Sequence, residues 1–538
     1  MGLCLLAVSA PSQTNLLWSR TIASGPYQPT WQSLAAQYQC PEWFRDAKFG
    51  IWAVFGPQCQ PEDGDWYARG MYLQGTSQNK FQVEHYGPPS KFGFKDVIHE
   101  WTAGKFDPGR LLEFYKANGA RYFMAMANHH DNFDLYKSKY QPWNSVAIGP
   151  LKDIIGLWAA AARQSGLRFG VSVHASHAWT WYEPAQGADK TGPLAGVPYD
   201  GTLARADGRG QWWDGLDPQE LYAQNHAPGN QRGWDWWNWD PAKGSTTPDA
   251  AYLNKFFLRT RQLWDDYHPD LIYFDDTVLP FHGVTDDIGL ALAAHFYNRS
   301  LQWHHGRNEA VMTGKFLADI QRRALVYDIE RGKSTGILPE PWQTDTCLGD
   351  WHYQRELFLH HQYKTAATVI PMLADIVSKN GNLMLSVPMR GDGTIDSDEV
   401  EIVRDIGAWL KVNGLAIYAT RPWKAYGEGP STRQFQKGQF DGQRDADSMA
   451  FSPADIRFTQ AQDGKTIYAI FLAFPSDGDG KVTITSLAKP SAFWPGEICS
   501  VRMLGVPGRL KFVRDANGLT ITLPDKKPCS VAFTLAIN

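Results

Sequence analysis

The sequence predicts an α/β fold: a (β/α)8-like TIM barrel followed by a C-terminal all-β sandwich domain. Three observations predict it. Short apolar runs of strand length alternate with longer helical stretches through roughly eight units. Most of those runs end in His, Asp, Lys or Glu, the residue types that α/β barrels gather at the C-terminal ends of their strands. From about Tyr426 the texture changes to short alternating strands separated by Gly, Pro and Asp turns. The chain therefore divides into a signal remnant and leader (1–30), a catalytic barrel (31–425) and a β-sandwich (426–538).

In chain order, Lys48–Gly56 reads as a first buried strand, followed by a loop with Asp65, Trp66 and Tyr67. A helix near Pro108–Asn118, stopped by Gly119, leads to the strand Arg121–His130, which ends in two histidines. A helix near Asp153–Ser165, stopped by Gly166, precedes Leu167–Ser176, a strand that ends in His174 and Ser176. Residues 177–248 form an insertion rich in Trp, Gly and Pro, of a length usually kept for function. Its run Trp234-Asp235-Trp236-Trp237-Asn238-Trp239 has flat faces for sugar rings, or for packing the loop on its scaffold. The helix Asp249–Tyr267 then feeds Asp270–Asp276 (DLIYFDD), an apolar run that stops at two carboxylates. Further on come the helix Asp287–His305, the strands Ala310–Lys315 and Leu325–Arg331, the helix Tyr363–Lys379, the strand Asn382–Pro388 and the helix Ser397–Val412. Thr466–Phe474 and Lys481–Thr485 are strands of the sandwich.

The bulk numbers narrow the function. A net charge of −4 with no basic stripe argues against nucleic acid as a partner. The 23 Trp suit a protein that covers sugar rings, or one with a large core. No apolar run is long enough for a membrane span. Leu3–Ala10 reads as the end of a signal peptide without its basic start, which points to a secreted or periplasmic protein. Six cysteines in a chain of 538 residues make no disulfide framework, and only Cys499 with Cys529 offers a candidate bridge. Two motifs carry no function. Asp392-Gly393-Thr394-Ile395-Asp396 with Glu399 looks like half a calcium loop, but Pro388 and Arg390 occupy ligand positions, so it reads as a turn and a helix start with Ser397 as N-cap. The sequon at Asn298 lies inside a helix.

A barrel would bring His129, His130, His174, Asp275, Lys315 and Glu330 to one mouth, with Asp65 and Trp66 from a loop. Two separate carboxylates, donors for hydroxyl groups and an aromatic wall are the equipment of a glycosidase. One carboxylate attacks the anomeric carbon and the other protonates the leaving oxygen. A zinc hydrolase built on His129, His130 and Asp131 is the rival; adjacent histidines on a strand face opposite sides, so no metal is assigned, and no other cofactor is called for.

The chain resembles the glycoside hydrolase family 29 α-L-fucosidases. The resemblance rests on Trp43–Pro57 (WFRDAKFGIWAVFGP), Asp65–Tyr72 (DWYARGMY), Phe106–Leu135 with its centre NHHDNF, GLRFG with the later Trp179, DLIYFDD, SKNGNLMLSVPMRGDGTI and GAWLKVNGLAIYATRPW, in that order over about residues 40–423. It implies a (β/α)8-like barrel followed by a sandwich, and retaining hydrolysis of terminal α-L-fucosyl residues from oligosaccharides or glycans. It also implies that Asp275 is the nucleophile, that His129, His130 and Trp66 bind the sugar, that Asp65 stands where Glu is usual, and that Glu330 is the acid/base, with Glu340 in reserve. Lys315 stands near where some members carry Arg.

There are departures. The first strand ends Val54-Phe55-Gly56, where the family usually has His-Trp-Gly; His174 or His177 takes over the missing histidine's work as a hypothesis. Ser386-Val387-Pro388 and Gly414-Leu415 also differ from the family's pattern. These leave two alternatives: a related exo-glycosidase such as an α-L-galactosidase, or a non-catalytic fucose-binding protein on the same scaffold.

Overall fold

Eight parallel strands close on themselves at the centre of the protein: β1 (Phe49–Ala53), β2 (Tyr122–Asn128), β3 (Arg168–Val173), β4 (Leu271–Phe274), β5 (Val311–Gly314), β6 (Val326–Asp328), β7 (Trp342–Cys347) and β8 (Gly381–Ser386). The last joins the first, with Ile51 opposite Leu385. The computed structural model describes residues 20–230, 233, 237, 239–432, 451–475 and 480–538. The signal-like stretch Leu3–Ala10 and four residues of the aromatic run, Trp234, Asp235, Trp236 and Asn238, lie outside them. No helix among the described residues is long and apolar enough to cross a membrane.

Seven strands fall where apolar runs predict them, because parallel strands covered by helices are buried on both faces. The eighth, β7, was not foreseen. Its sequence WQTDTC is mostly polar, yet all six residues are buried. Its polar atoms find partners inside the barrel: Thr344 Oγ1 donates to Ile329 O at 2.7 Å and Gln343 Nε2 donates to Asp328 Oδ2 at 2.9 Å.

Several of the helices around the barrel begin at side-chain caps. Asp153 caps Ile154–Ser165 and Asp249 caps Ala250–Tyr267. For Ser397–Asn413 the N-cap is Asp396, not Ser397. Asp396 accepts from Glu399 N at 2.9 Å while Glu399 Oε2 accepts from Asp396 N at 2.9 Å, a reciprocal capping box. The insertion after β3 is not one long loop but short helical turns, among them Ala178–Trp181 and Pro218–Tyr222. Buried polar groups pin it down: Arg69 donates to Thr180 O and Trp181 O, and Asp200 accepts from Tyr72 and Tyr222 hydroxyls.

Residues 20–30, read as leader, lie against the helix Asp287–Trp303: Asn298 Nδ2 donates to Ala23 O and Tyr27 O, so the sequon's amide is already engaged. Behind the barrel, a five-stranded antiparallel sheet contains β9 (Thr420–Glu428), β10 (Ile456–Ala461), β11 (Ile467–Phe471), β13 (Val501–Met503) and β16 (Phe533–Ile537). A three-stranded sheet, with β12 (Lys481–Ile484), β14 (Phe512–Asp515) and β15 (Gly518–Thr522), shares its core through Phe458, Phe533, Ile484 and Ile521. Cys499 and Cys529 do not form the expected bridge: both are free, and the Cys529 thiol donates to Ala532 O.

Candidate active site

The C-terminal strand ends surround a cavity of about 290 Å3, lined by Trp52, Val54, Trp66, His129, His174, Trp237, Tyr273, Asp275, Lys315, Phe316, Glu330, Arg331 and Trp351. It has two levels. Trp52, Val54, Tyr273, His129, His174 and Lys315 are almost fully buried and make its floor. Trp66, Trp237, Trp351, Glu330 and Phe316 are more exposed and form its rim.

Asp275 follows β4 directly and is held on both oxygens. Lys315 Nζ, from the end of β5, donates to Oδ1 at 2.7 Å. His174 Nδ1 lies 3.2 Å from Oδ2, and His130 Nε2 lies 3.2 Å from the same oxygen. Burial opposes the charge on Asp275, but Lys315 and the contacts from His130 and His174 outweigh it, and the carboxyl stays well below its usual range. Lys315 also donates to Glu330 Oε2 at 2.5 Å, so one ammonium joins both carboxylates. Burial alone would discharge Lys315; Asp275 and Glu330, followed by Asp345 and Asp328, reverse this and raise it well above the ordinary lysine value. Beneath it Asp328 is pushed up to about 6 and Asp345 well above the carboxylate range, both mainly by burial.

Each histidine has a separate task. A carboxylate only accepts, so His174 Nδ1 is the donor to Asp275, and its Nε2 is hydrogen-bonded with Ser172 Oγ, 3.0 Å away. Gln58 Nε2 donates to Asp131 Oδ2 and to His129 Nδ1 at 2.8 Å, while Gln58 Oε1 accepts from Ala68 N. His129 Nδ1 is then an acceptor, and its Nε2–H is the donor left for a ligand. Burial, reinforced by His130, His352 and His174, holds His129 far below the usual histidine value and so neutral. His130 is fully buried and sits behind Asp275 rather than on the cavity wall, with Nδ1 2.8 Å from His174 O. Both its neighbours are acceptors, the His174 carbonyl at Nδ1 and Asp275 at Nε2, so this geometry calls for a proton on each nitrogen; Asp275 favours that charged form, while burial opposes it and pushes the value down to about 4.

The other expected residues separate. Asp65 does not reach the cavity: it accepts from Trp351 N at 3.1 Å and His352 N at 2.7 Å, tying the loop after β1 to the segment after β7. Trp66 does line the cavity, in a left-handed conformation with φ 59°. His177 turns onto Asp276, 3.0 Å away, and stacks on Trp237 and Trp239, so it does not replace the histidine missing at Val54. Asp276 is buried and accepts from Ser176 Oγ. Glu340 lies in another groove, with Cys40, Arg45 and Arg322. Sequence reasoning missed Trp52, Tyr273, Phe316, Arg331 and Trp351. The first four had a signal, since each lies in or next to a predicted strand; Trp351 follows the unforeseen β7.

His129 and His130 do not face opposite ways as adjacent strand residues would, because β2 ends at Asn128 and both lie beyond it. Ligand atoms of His129, His130 and His174 come within 4.8 Å of one another. Their nitrogens are nonetheless occupied by Gln58, the His174 carbonyl, Asp275 and Ser172, which leaves His129 Nε2 alone and makes the trio a poor metal site.

A closed parallel barrel whose strand ends set two carboxylates on one lysine, between aromatic walls, has the architecture of a glycoside hydrolase. Comparison with known proteins agrees and is more specific. The family model for α-L-fucosidase matches residues 16–415, and the model for the α-L-fucosidase C-terminal domain matches 450–538. The chain is 26% identical to the plasma α-L-fucosidase of Homo sapiens over 531 residues, covering 95% of this chain and 92% of the human protein. It is 26% identical to the α-L-fucosidase of Branchiostoma floridae over 526 residues, covering 95% and 96%. The Thermotoga maritima α-fucosidase in complex with fucose shares its fold, with a TM-score of 0.66 at 24% identity, covering 95% of this chain and 100% of that one. The chain belongs to the α-L-fucosidase family of glycoside hydrolases.

Proposed function

We propose that this protein is a retaining exo-α-L-fucosidase that removes terminal α-L-fucosyl residues from oligosaccharides or glycans. One observation carries the reading: Lys315 holds Asp275 and Glu330 together at the barrel mouth. Two oxygens bound to one nitrogen can be no farther apart than about two hydrogen bonds, a close approach that suits the ~5–5.5 Å between the carboxyl groups of retaining enzymes.

In this reading Asp275, ionised and held on both oxygens, attacks the anomeric carbon and forms a glycosyl ester. Glu330 gives its proton to the departing oxygen through Oε1, since Oε2 is on Lys315. Water then enters, Glu330 takes its proton, and the hydroxide displaces Asp275 from the sugar. The His129 Nε2–H binds a sugar hydroxyl, His174 and Lys315 orient the nucleophile and flank the ring, and His130 braces Asp275 from behind. Trp66 and Trp52 give aromatic walls, and Asp65 holds Trp66 and Trp351 in register. The closed floor, about one monosaccharide in size, supports the exo mode. The signal-like stretch Leu3–Ala10 supports export to the periplasm or the exterior.

The test is a panel of aryl glycosides. Hydrolysis of the α-L-fucoside in preference to the α-L-galactoside is expected, with Asp275→Ala losing several orders of magnitude in kcat and regaining part of it with azide. Preference for the galactoside would move the specificity. Full activity of Asp275→Ala would remove the nucleophile assignment. Binding of L-fucose without turnover of any glycoside would favour a sugar-binding protein instead.

A further inference from the structure

Phe316 stands out on the cavity rim. It follows Lys315 directly, lines the cavity, and is 55% exposed. Its φ is 52°, a left-handed conformation in which a bulky residue is an outlier. It has no ring partner among the described residues, in a cavity where Trp52, Tyr273 and Trp351 all pack on one another or on neighbours. A single exposed apolar side chain is ordinarily unremarkable. One held in a strained conformation at the mouth of a cavity that Glu330 also lines is a different case.

The two levels of the cavity say what it meets. The floor closes around one sugar. Glu330 is on the rim, and as proton donor it must touch the oxygen that joins that sugar to the next group. Glu330 and Phe316 line the same cavity, and both stand on its exposed rim. The next group in the substrate leaves the cavity over that rim, where Phe316 is its most exposed apolar side chain. A flat aromatic surface there matches the apolar face of a pyranose ring.

We propose that Phe316 is the platform of a leaving-group subsite, which recognises the sugar next to the terminal fucose by stacking on its apolar face. The proposal rests on the fucosidase reading above. It is tested with two substrates that share the fucosyl group: α-L-fucosyl fluoride, whose leaving group is one atom and needs no subsite, and the fucosyl disaccharide that the unsubstituted enzyme cleaves best. Phe316→Ala should lower kcat/KM for the disaccharide about tenfold more than for the fluoride, the scale of one lost apolar contact. Phe316→Leu, which keeps apolar bulk but no flat face, should show the same bias and covers the case in which the alanine variant folds poorly. Phe316→Tyr should retain most of the disaccharide activity. Equal losses on both substrates, or no loss on the disaccharide, would overturn the proposal while leaving the enzyme a fucosidase. An unsubstituted protein inert on both substrates would remove the fucosidase reading and the subsite with it.

Discussion

The charge count around Lys315 organises the chemistry at the residue scale. One ammonium serves two carboxylates; in the mechanism proposed above, a proton on Glu330 makes the trio neutral and leaves Asp275 as the attacking anion, and once Asp275 is an ester the same ammonium would face an ionised Glu330, the form needed to take a proton from water. Glu330→Ala should therefore cost about 100-fold or more on a natural fucoside, and much less on an aryl fucoside whose phenol leaves without help. Steady-state kinetics on the two substrates check this, and equal losses would reassign the proton donor. A carboxylate at the cavity was legible in the sequence because a strand-length apolar run ended on Asp275 and Asp276, and the family resemblance singled out Asp275. The precise work of the histidines was not, since a tautomer depends on neighbours such as Gln58 and Ser172 that are distant in the chain or unremarkable in it. The same holds for Asp65, whose backbone partners at Trp351 and His352 lie in the segment after β7, a strand that the sequence did not reveal.

Strands and loops are held in place by buried polar groups rather than by apolar patterning alone. The loop after β2, which carries His129 and His130, is fixed by Arg259 of the helix Ala250–Tyr267. Arg259 binds both oxygens of Asp134, at 3.0 and 2.7 Å, and Asn132 Oδ1 at 2.6 Å. Both members of the ion pair are buried. Asp134→Ala would leave the guanidinium without a counter-ion and should destabilise the protein by about 3–5 kcal/mol, with loss of activity as the histidines move. The urea midpoint reads this, and an unchanged midpoint would contradict it. Elements with apolar runs and side-chain caps were legible from the chain. β7 was not, because its burial is satisfied by hydrogen bonds inside the barrel, and periodicity does not report those. The insertion likewise read as a loop because its helical turns are too short to build a period.

The barrel and sandwich, as a whole molecule, were legible from the alternation of elements and the later change in texture. Their join was not. Asp375, on the helix Ala366–Ser378, binds Arg457 of β10 at 2.6 Å and Lys379 at 2.8 Å, all three buried. Trp409 Nε1 donates to Ala532 O and Thr459 Oγ1 to Ala416 O across the same contact. Burial opposes the charge on Asp375, but Lys379, Arg457 and Lys333 outweigh it and hold the carboxyl far below its ordinary value. A carboxyl depressed in the folded state stabilises fully above its unfolded pKa of about 3.9, and that stability is lost as pH falls below it. The thermal midpoint should therefore drop below about pH 4. Asp375→Asn should lower it at neutral pH as well and expose the sandwich to proteolysis. A variant as stable and protease-resistant as the parent would show that the ion cluster does not join the domains.

As the proposed nucleophile, Asp275 would form a covalent bond to fucose during turnover. A fluorinated fucosyl fluoride, which forms the ester quickly and hydrolyses it slowly, should add one fluorofucosyl mass to the intact protein, and peptide mapping should place it on Asp275 within Leu271–Asp276. A protein that turns over α-L-fucosides while the label falls on another residue, or on none, would contradict the account.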